Sequence, residues 1–115
     1  MLDTTPLMAA VDRFADRLRA APQSRLQRGA AAEGLALARE LSVRAQRLEE
    51  PGREARIMPD AGVFVVADQL AVAGHDLAQA LRAACAPERG TAPSVAAGLD
   101  EAVGLVEAAA GRAGL

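Results

Sequence analysis

The sequence predicts an all-α protein, an up-and-down antiparallel four-helix bundle with two long central helices. Three observations predict it. Apolar residues recur at helical spacing in four stretches, the runs that strands prefer are nearly absent, and Pro and Gly interrupt the chain between the stretches. Leu7, Val11, Phe14 and Leu18 form the first set, and Leu26, Ala30, Leu37, Leu41 and Leu48 the second. Val63, Val66, Leu70, Leu77 and Leu81 form the third; Val95, Leu99, Val103 and Val106 the fourth. Residues three and four apart stack on one side of a helix, so each set is one apolar stripe. Half of the chain is apolar, but Ala dominates that half and only Phe14 and Phe64 are aromatic. Such a core suits close helix packing better than a sheet.

Each helix has start and stop signals, and together they fill one domain, residues 1–115. The first spans about 6–21: Thr5 is placed as N-cap with Pro6 at the first helical position, and Pro22 ends it. The second spans about 24–50. Ser24 and Gln27 fit a capping box, and Pro51-Gly52 stops the helix. At about 26 residues it is about 39 Å long. A loop over 51–58 leads to Pro59-Asp60, which signals a third helix of about 59–86. Another loop, 87–93, carries Thr91 or Ser94 as cap for a fourth helix of about 94–111. Connections this short imply antiparallel neighbours. Glycines at 29, 34, 62, 74, 98 and 104 fall within the helical stretches, where they permit close backbone approach at about 1 kcal/mol each relative to Ala.

Composition excludes several function classes. The net charge of −2 is too mild to imply nucleic acid or a membrane surface. The chain lacks Lys, Asn, Tyr and Trp, the bias of a GC-rich genome, which suggests a bacterial source. Charge is unevenly spread: residues 1–56 hold ten Arg and eight acids, and residues 57–115 three Arg and seven acids. This pattern suggests two helical hairpins of opposite sign. A basic surface around Arg13, Arg17, Arg19, Arg25 and Arg28 is broken by Asp12 and Asp16, with no aromatic interleaved for base stacking. A single Cys excludes an internal disulfide framework, and no stretch approaches the ~20 apolar residues of a membrane span. With no signal-like start, the expected location is cytoplasmic.

Reactive groups are scarce. One His rules out the Glu-x-x-His pairs of di-iron bundles and any His triad. His75 and Cys85 are about 15 Å apart along one helix, too far to share an ion. No Gly-x-Ser-x-Gly elbow and no Gly-rich phosphate loop is present. No catalytic, cofactor-binding or metal site is therefore expected.

Function is sought where the stripe pattern breaks. Arg44 occupies the Leu37–Leu41–Leu48 stripe, and Glu33 lies at its edge. A buried guanidinium needs a carboxylate, a route to water, or an anionic ligand. In the third helix, Phe64, Val65 and Val72 point away from the stripe. Either the 51–58 loop or the first helix covers them, or a partner does. Asp68 and His75 fall on the same outward side, and a His within an interface would make association pH-sensitive. The leading expectation is a small non-enzymatic interaction module acting through this surface (Phe64, Val65, Asp68, Val72, His75), homodimeric or bound to another protein. The alternative is a bundle that holds a small apolar ligand between helices, with Arg44 as anchor. Neither reading involves nucleic acid or a membrane.

Overall fold

A computed structural model of the chain describes residues 2–85 and 93–115. Four helices form a bundle, as the stripes predict. Helix α1 is Thr5–Ala20, with Leu7, Val11, Phe14 and Leu18 all buried. Its start differs in detail from the expectation. Thr4 is the N-cap residue but makes no capping bond, and the backbone amide of Thr5 donates instead to Asp3 Oδ1 at 3.0 Å. The Thr5 side chain first, and then this amide bond, hold the Asp3 carboxyl below its usual range.

Helix α2 comprises a short first part from Gln23, a kink within Leu26–Ala30, and the long segment Ala31–Glu49, so the single helix expected over 24–50 is interrupted. The predicted Ser24–Gln27 capping box does not form, because Pro22 caps the helix and its carbonyl accepts the amides of Arg25 and Leu26. At Gly29 the backbone leaves helical geometry, so the chain kinks between residues 23–28 and the long segment that follows. The Gly29 φ of 141° is one that L side chains rarely adopt.

Helix α3 is Val66–Ala84 and α4 is Pro93–Ala113. The third helix therefore begins at Val66 and not at Pro59. Asp60 Oδ1 accepts the amide of Gly62 at 2.9 Å, and Gly62 has a φ of 100°, so the chain turns here before it can wind into a helix. Val63 still packs against the core as its stripe predicts, but from a turn. The 87–92 part of the predicted loop, including Thr91, lies outside the described residues. Ser94 is not a cap but the second residue of α4.

The late start of α3 changes the connectivity. Residues 50–65 form a strap that returns along α2, so α2 and α3 run in the same direction. Gly34 meets Val66 near their starts, while Arg44 and Leu48 share a groove with Leu77 and Leu81 near their ends. The bundle thus reads up, down, down, up, and strict alternation does not hold. Sixteen extended residues reach on the order of 50 Å, enough to retrace the 19-residue segment of α2, about 28 Å long.

α1 packs mainly against α3 and α4, and so does α2, leaving α1 opposite α2 and α3 opposite α4. Leu41, Leu70, Leu77 and Val106 fill the centre with Phe14. Two glycines set the closest approaches. A Cβ at Gly34 would lie 2.8 Å from Val66 Cγ1, and one at Gly74 would lie 2.6 Å from Val11 Cγ1. The close-approach role expected of the helical glycines thus holds at Gly34 and Gly74. It fails at Gly104, which has nothing within 4 Å, and at Gly29 and Gly62, which serve a kink and a turn.

Candidate interaction surface

The residues expected to form one surface divide into two groups. Phe64, Val65 and Val72 are exposed, with Phe64 at 72% and Val72 at 60%. Neither the strap nor α1 covers them. Val65 is the N-cap residue of α3 and Phe64 precedes it, so the surface combines the end of the strap with the first turns of the helix. Met58 tucks against the core, while Ile57 remains 63% exposed and lines a hollow with Asp76, one turn beyond Val72. Ile57 is a further exposed apolar residue, on the strap, and sequence reading did not single it out because its environment depends on where the strap runs.

Asp68 and His75 belong elsewhere. Arg19 Nη2 donates to Asp68 Oδ1 at 3.0 Å, and His75 Nε2 lies 3.1 Å from Asp12 Oδ1. Arg82 donates to the Thr4 hydroxyl one step further along. As residue number rises along α1 it falls along α3, so these pairs are rungs of one antiparallel ladder. The carboxylate of Asp68 holds the Arg19 guanidinium above its usual range. Exposed pairs of this kind contribute little to stability each and act mainly on register.

Arg44 and Glu33 form a second ladder. Arg44 Nη2 donates to Glu101 Oε1 on α4 at 2.8 Å, and its Nε to Glu40 Oε2 at 3.0 Å. Arg112 Nε on α4 donates to Glu33 Oε2 at 2.9 Å. Polarity inverts between the two α2–α4 rungs, base to acid at one and acid to base at the other. Both helices space their charged residues identically, so antiparallel docking satisfies both rungs in one register. The Arg44 side chain is 27% exposed, and Glu101 followed by Glu40 raises its proton affinity against the opposing effect of burial. In return Arg44 holds the Glu101 carboxyl below its usual range.

The strap is fastened by side chains that act on its backbone. Gln46 forms two bonds with Arg56, donating to its carbonyl and accepting its amide, each at 2.8 Å. Arg39 Nε donates to the Met58 carbonyl at 2.8 Å, and Gln69 Nε2 to the Pro59 carbonyl at 3.0 Å. Gln69 Oε1 is buried with no hydrogen-bond partner among the described residues. None of these three residues interrupts an apolar stripe, so no local pattern marks them.

Among the described residues no three His, Cys, Asp or Glu side chains cluster as a metal site would require, and no helix is long and apolar enough to cross a membrane. Cys85 caps the end of α3 and packs against the core. Between α2, α3 and α4 runs a groove of about 280 Å³ lined by Arg44, Arg47, Leu48, Leu77, Leu81 and Val95. The described residues form a small all-helical bundle that exposes Ile57, Phe64, Val65 and Val72. Compared with protein-family models, curated proteins and solved structures, the chain matches none.

Proposed function

We propose that this protein is a small, non-enzymatic interaction module that acts through the surface formed by Ile57, Phe64, Val65 and Val72, and that it self-associates as a homodimer in the cytoplasm. One observation carries the reading. Five large hydrophobic residues are exposed among the described residues, and four of them, Ile57, Phe64, Val65 and Val72, fall within one stretch that spans the end of the strap and the start of α3. Four such side chains placed together by a strap and a helix start resemble the apolar anchors of a protein interface more than scattered surface residues. Asp68 and His75, expected in this surface, instead tie α3 to α1 and are not counted among its residues. Sedimentation velocity at tens of micromolar tests the reading: the wild type runs at twice the chain mass, and Phe64→Asp runs as a folded monomer. A wild type that remains a monomer would count against it.

A second reading rests on the groove between α2, α3 and α4. Its leucine-rich wall and about 280 Å³ place it near the lower end of small-molecule sites. Arg44 is occupied by Glu40 and Glu101, so Arg47 at the rim is the cation available to an acidic headgroup. Titration with decanoate reads this out, with saturable binding that Arg47→Ala weakens; no saturation would remove the reading.

A further inference from the structure

In the sequence Asp12 and Asp16 break the basic run of α1, and the fold then sorts the two signs. Asp12 reaches His75 of α3, and Asp16 joins Arg19, which itself holds Asp68 of α3. Arg13 and Arg17 instead line a hollow of about 360 Å³ between α1 and α4. They are one helical turn apart, about 5–6 Å between Cβ atoms. Beneath them lie Phe14, Val106 and Ala110 as an apolar floor. Among the described residues neither arginine makes an ion pair or a side-chain hydrogen bond. Glu107 lines the α4 wall and pairs with neither, so it does not neutralise them across the hollow. Arg25 adds positive charge at the rim, where it donates to the carbonyl of Gly114.

We propose that this hollow binds a small carboxylate carrying an apolar ring, with the carboxylate on Arg13 and Arg17 and the ring over Phe14, Val106 and Ala110. A guanidinium is weakly hydrated and its planar fork matches a carboxylate, so two of them with no other partner favour that group. An apolar cavity of about 150 Å³ accommodates benzene, which leaves room here for a ring and a short linker. Glu107 repels the charged end from the α4 wall and so sets the orientation, carboxylate toward α1. The site is independent of the self-association reading, because Ile57, Phe64, Val65 and Val72 do not line it. It also shares no residue with the groove between α2, α3 and α4.

Titration of the full chain with 3-phenylpropionate, followed by methyl NMR, tests this. Saturable shifts are expected at Val106 and Ala110, with Leu77 and Leu81 of the other groove unmoved. 3-Phenylpropionamide keeps the ring without the charge, and inorganic phosphate keeps charge without the ring. Each should bind roughly tenfold more weakly or worse, through loss of a charge-assisted contact or of ring burial. The exposed double variant Arg13→Gln/Arg17→Gln should show the same loss for 3-phenylpropionate. Glu107→Gln should tighten binding roughly two- to fivefold by removing a like charge. Absence of saturation overturns the proposal, and so does equal affinity for the amide or for phosphate. Unchanged affinity in the double variant overturns it too, as do shifts confined to Leu77 and Leu81. Weaker binding by Glu107→Gln would overturn the orientation. The comparison of carboxylate with amide uses wild-type protein alone, so it decides even if circular dichroism shows the double variant unfolded. A monomeric wild type would count against self-association and leave this site standing.

Discussion

Gly74 of α3 lies so close to Val11 of α1 that an added Cβ would stand 2.6 Å from Val11 Cγ1 and 2.7 Å from Cγ2. Val is stiff at χ1 in a helix, so its methyl groups cannot swing away. Gly74→Ala is therefore expected to destabilise by about 1–3 kcal/mol through overpacking, although Ala favours a helix by about 1 kcal/mol over Gly. Urea unfolding reads the sign, and adding Val11→Ala to Gly74→Ala should recover part of the loss. A more stable Gly74→Ala variant would mean that α1 and α3 have slack at this point.

Gly104 provides the contrast. It sits in α4 with nothing within 4 Å of an added Cβ and no left-handed backbone to preserve. Gly104→Ala should raise stability by about 0.5–1 kcal/mol, the intrinsic helical gain alone. The same unfolding experiment shows it as a higher midpoint with an unchanged slope.

The Arg44–Glu101 pair gives the bundle an acid-sensitive link. Arg44 lowers the folded-state pKa of Glu101 from the ordinary 4.5. A depressed folded pKa stabilises above the unfolded value, so the contribution is present above about pH 4.5 and is lost as pH falls through the lowered folded value. Glu101→Gln should therefore flatten the stability profile below that pH and leave its shape at pH 7–9 unchanged. Reversing both charges, Arg44→Glu with Glu101→Arg, should perform worse than the wild type because Glu40 then faces a carboxylate across one helical turn.

The strap should loosen from its Gln46 end. Gln46→Leu removes both bonds to Arg56, each contributing about 0.5–1.5 kcal/mol net at most at such an exposed site. Gln69→Leu removes one bond to Pro59 but also an acceptor that is buried and unpaired. Gln46→Leu is thus expected to speed amide exchange at Arg56 and to destabilise more than Gln69→Leu. Native-state hydrogen exchange followed by NMR resolves both.

The helices were legible because their signals are local. Pro6, Pro22 and Pro51-Gly52 bracket α1 and α2 to within about a residue, and the four stripes mark most of the buried side chains, although Leu48 at the end of the second stripe is exposed and Val63 and Val103 are only partly buried. The start of α3 was not legible. Pro59-Asp60 carries a convincing start signal, but Asp60 spends its carboxylate on the amide of Gly62, and that turn postpones the helix to Val66. With a short loop assumed, parallel α2 and α3 could not be foreseen. The site was legible in part. Excess apolar character marked Phe64, Val65 and Val72, whereas nothing local separates them from Asp68 and His75, whose partners Arg19 and Asp12 lie far away in sequence. Arg44 and Glu33 stood out as stripe breakers, and their partners on α4 emerge only from the fold.

The crossing strap means that no helix has its ladder partner next to it in the chain. α1 is laddered to α3 and α2 to α4, so the two halves of the sequence are interleaved and are not hairpins set side by side. A nick in the strap would yield an α1–α2 fragment and an α3–α4 fragment of opposite net charge, each holding one side of both ladders and neither able to complete one alone. The bundle is in this sense a complementation pair joined by a tether, and its cooperativity depends on both halves arriving together.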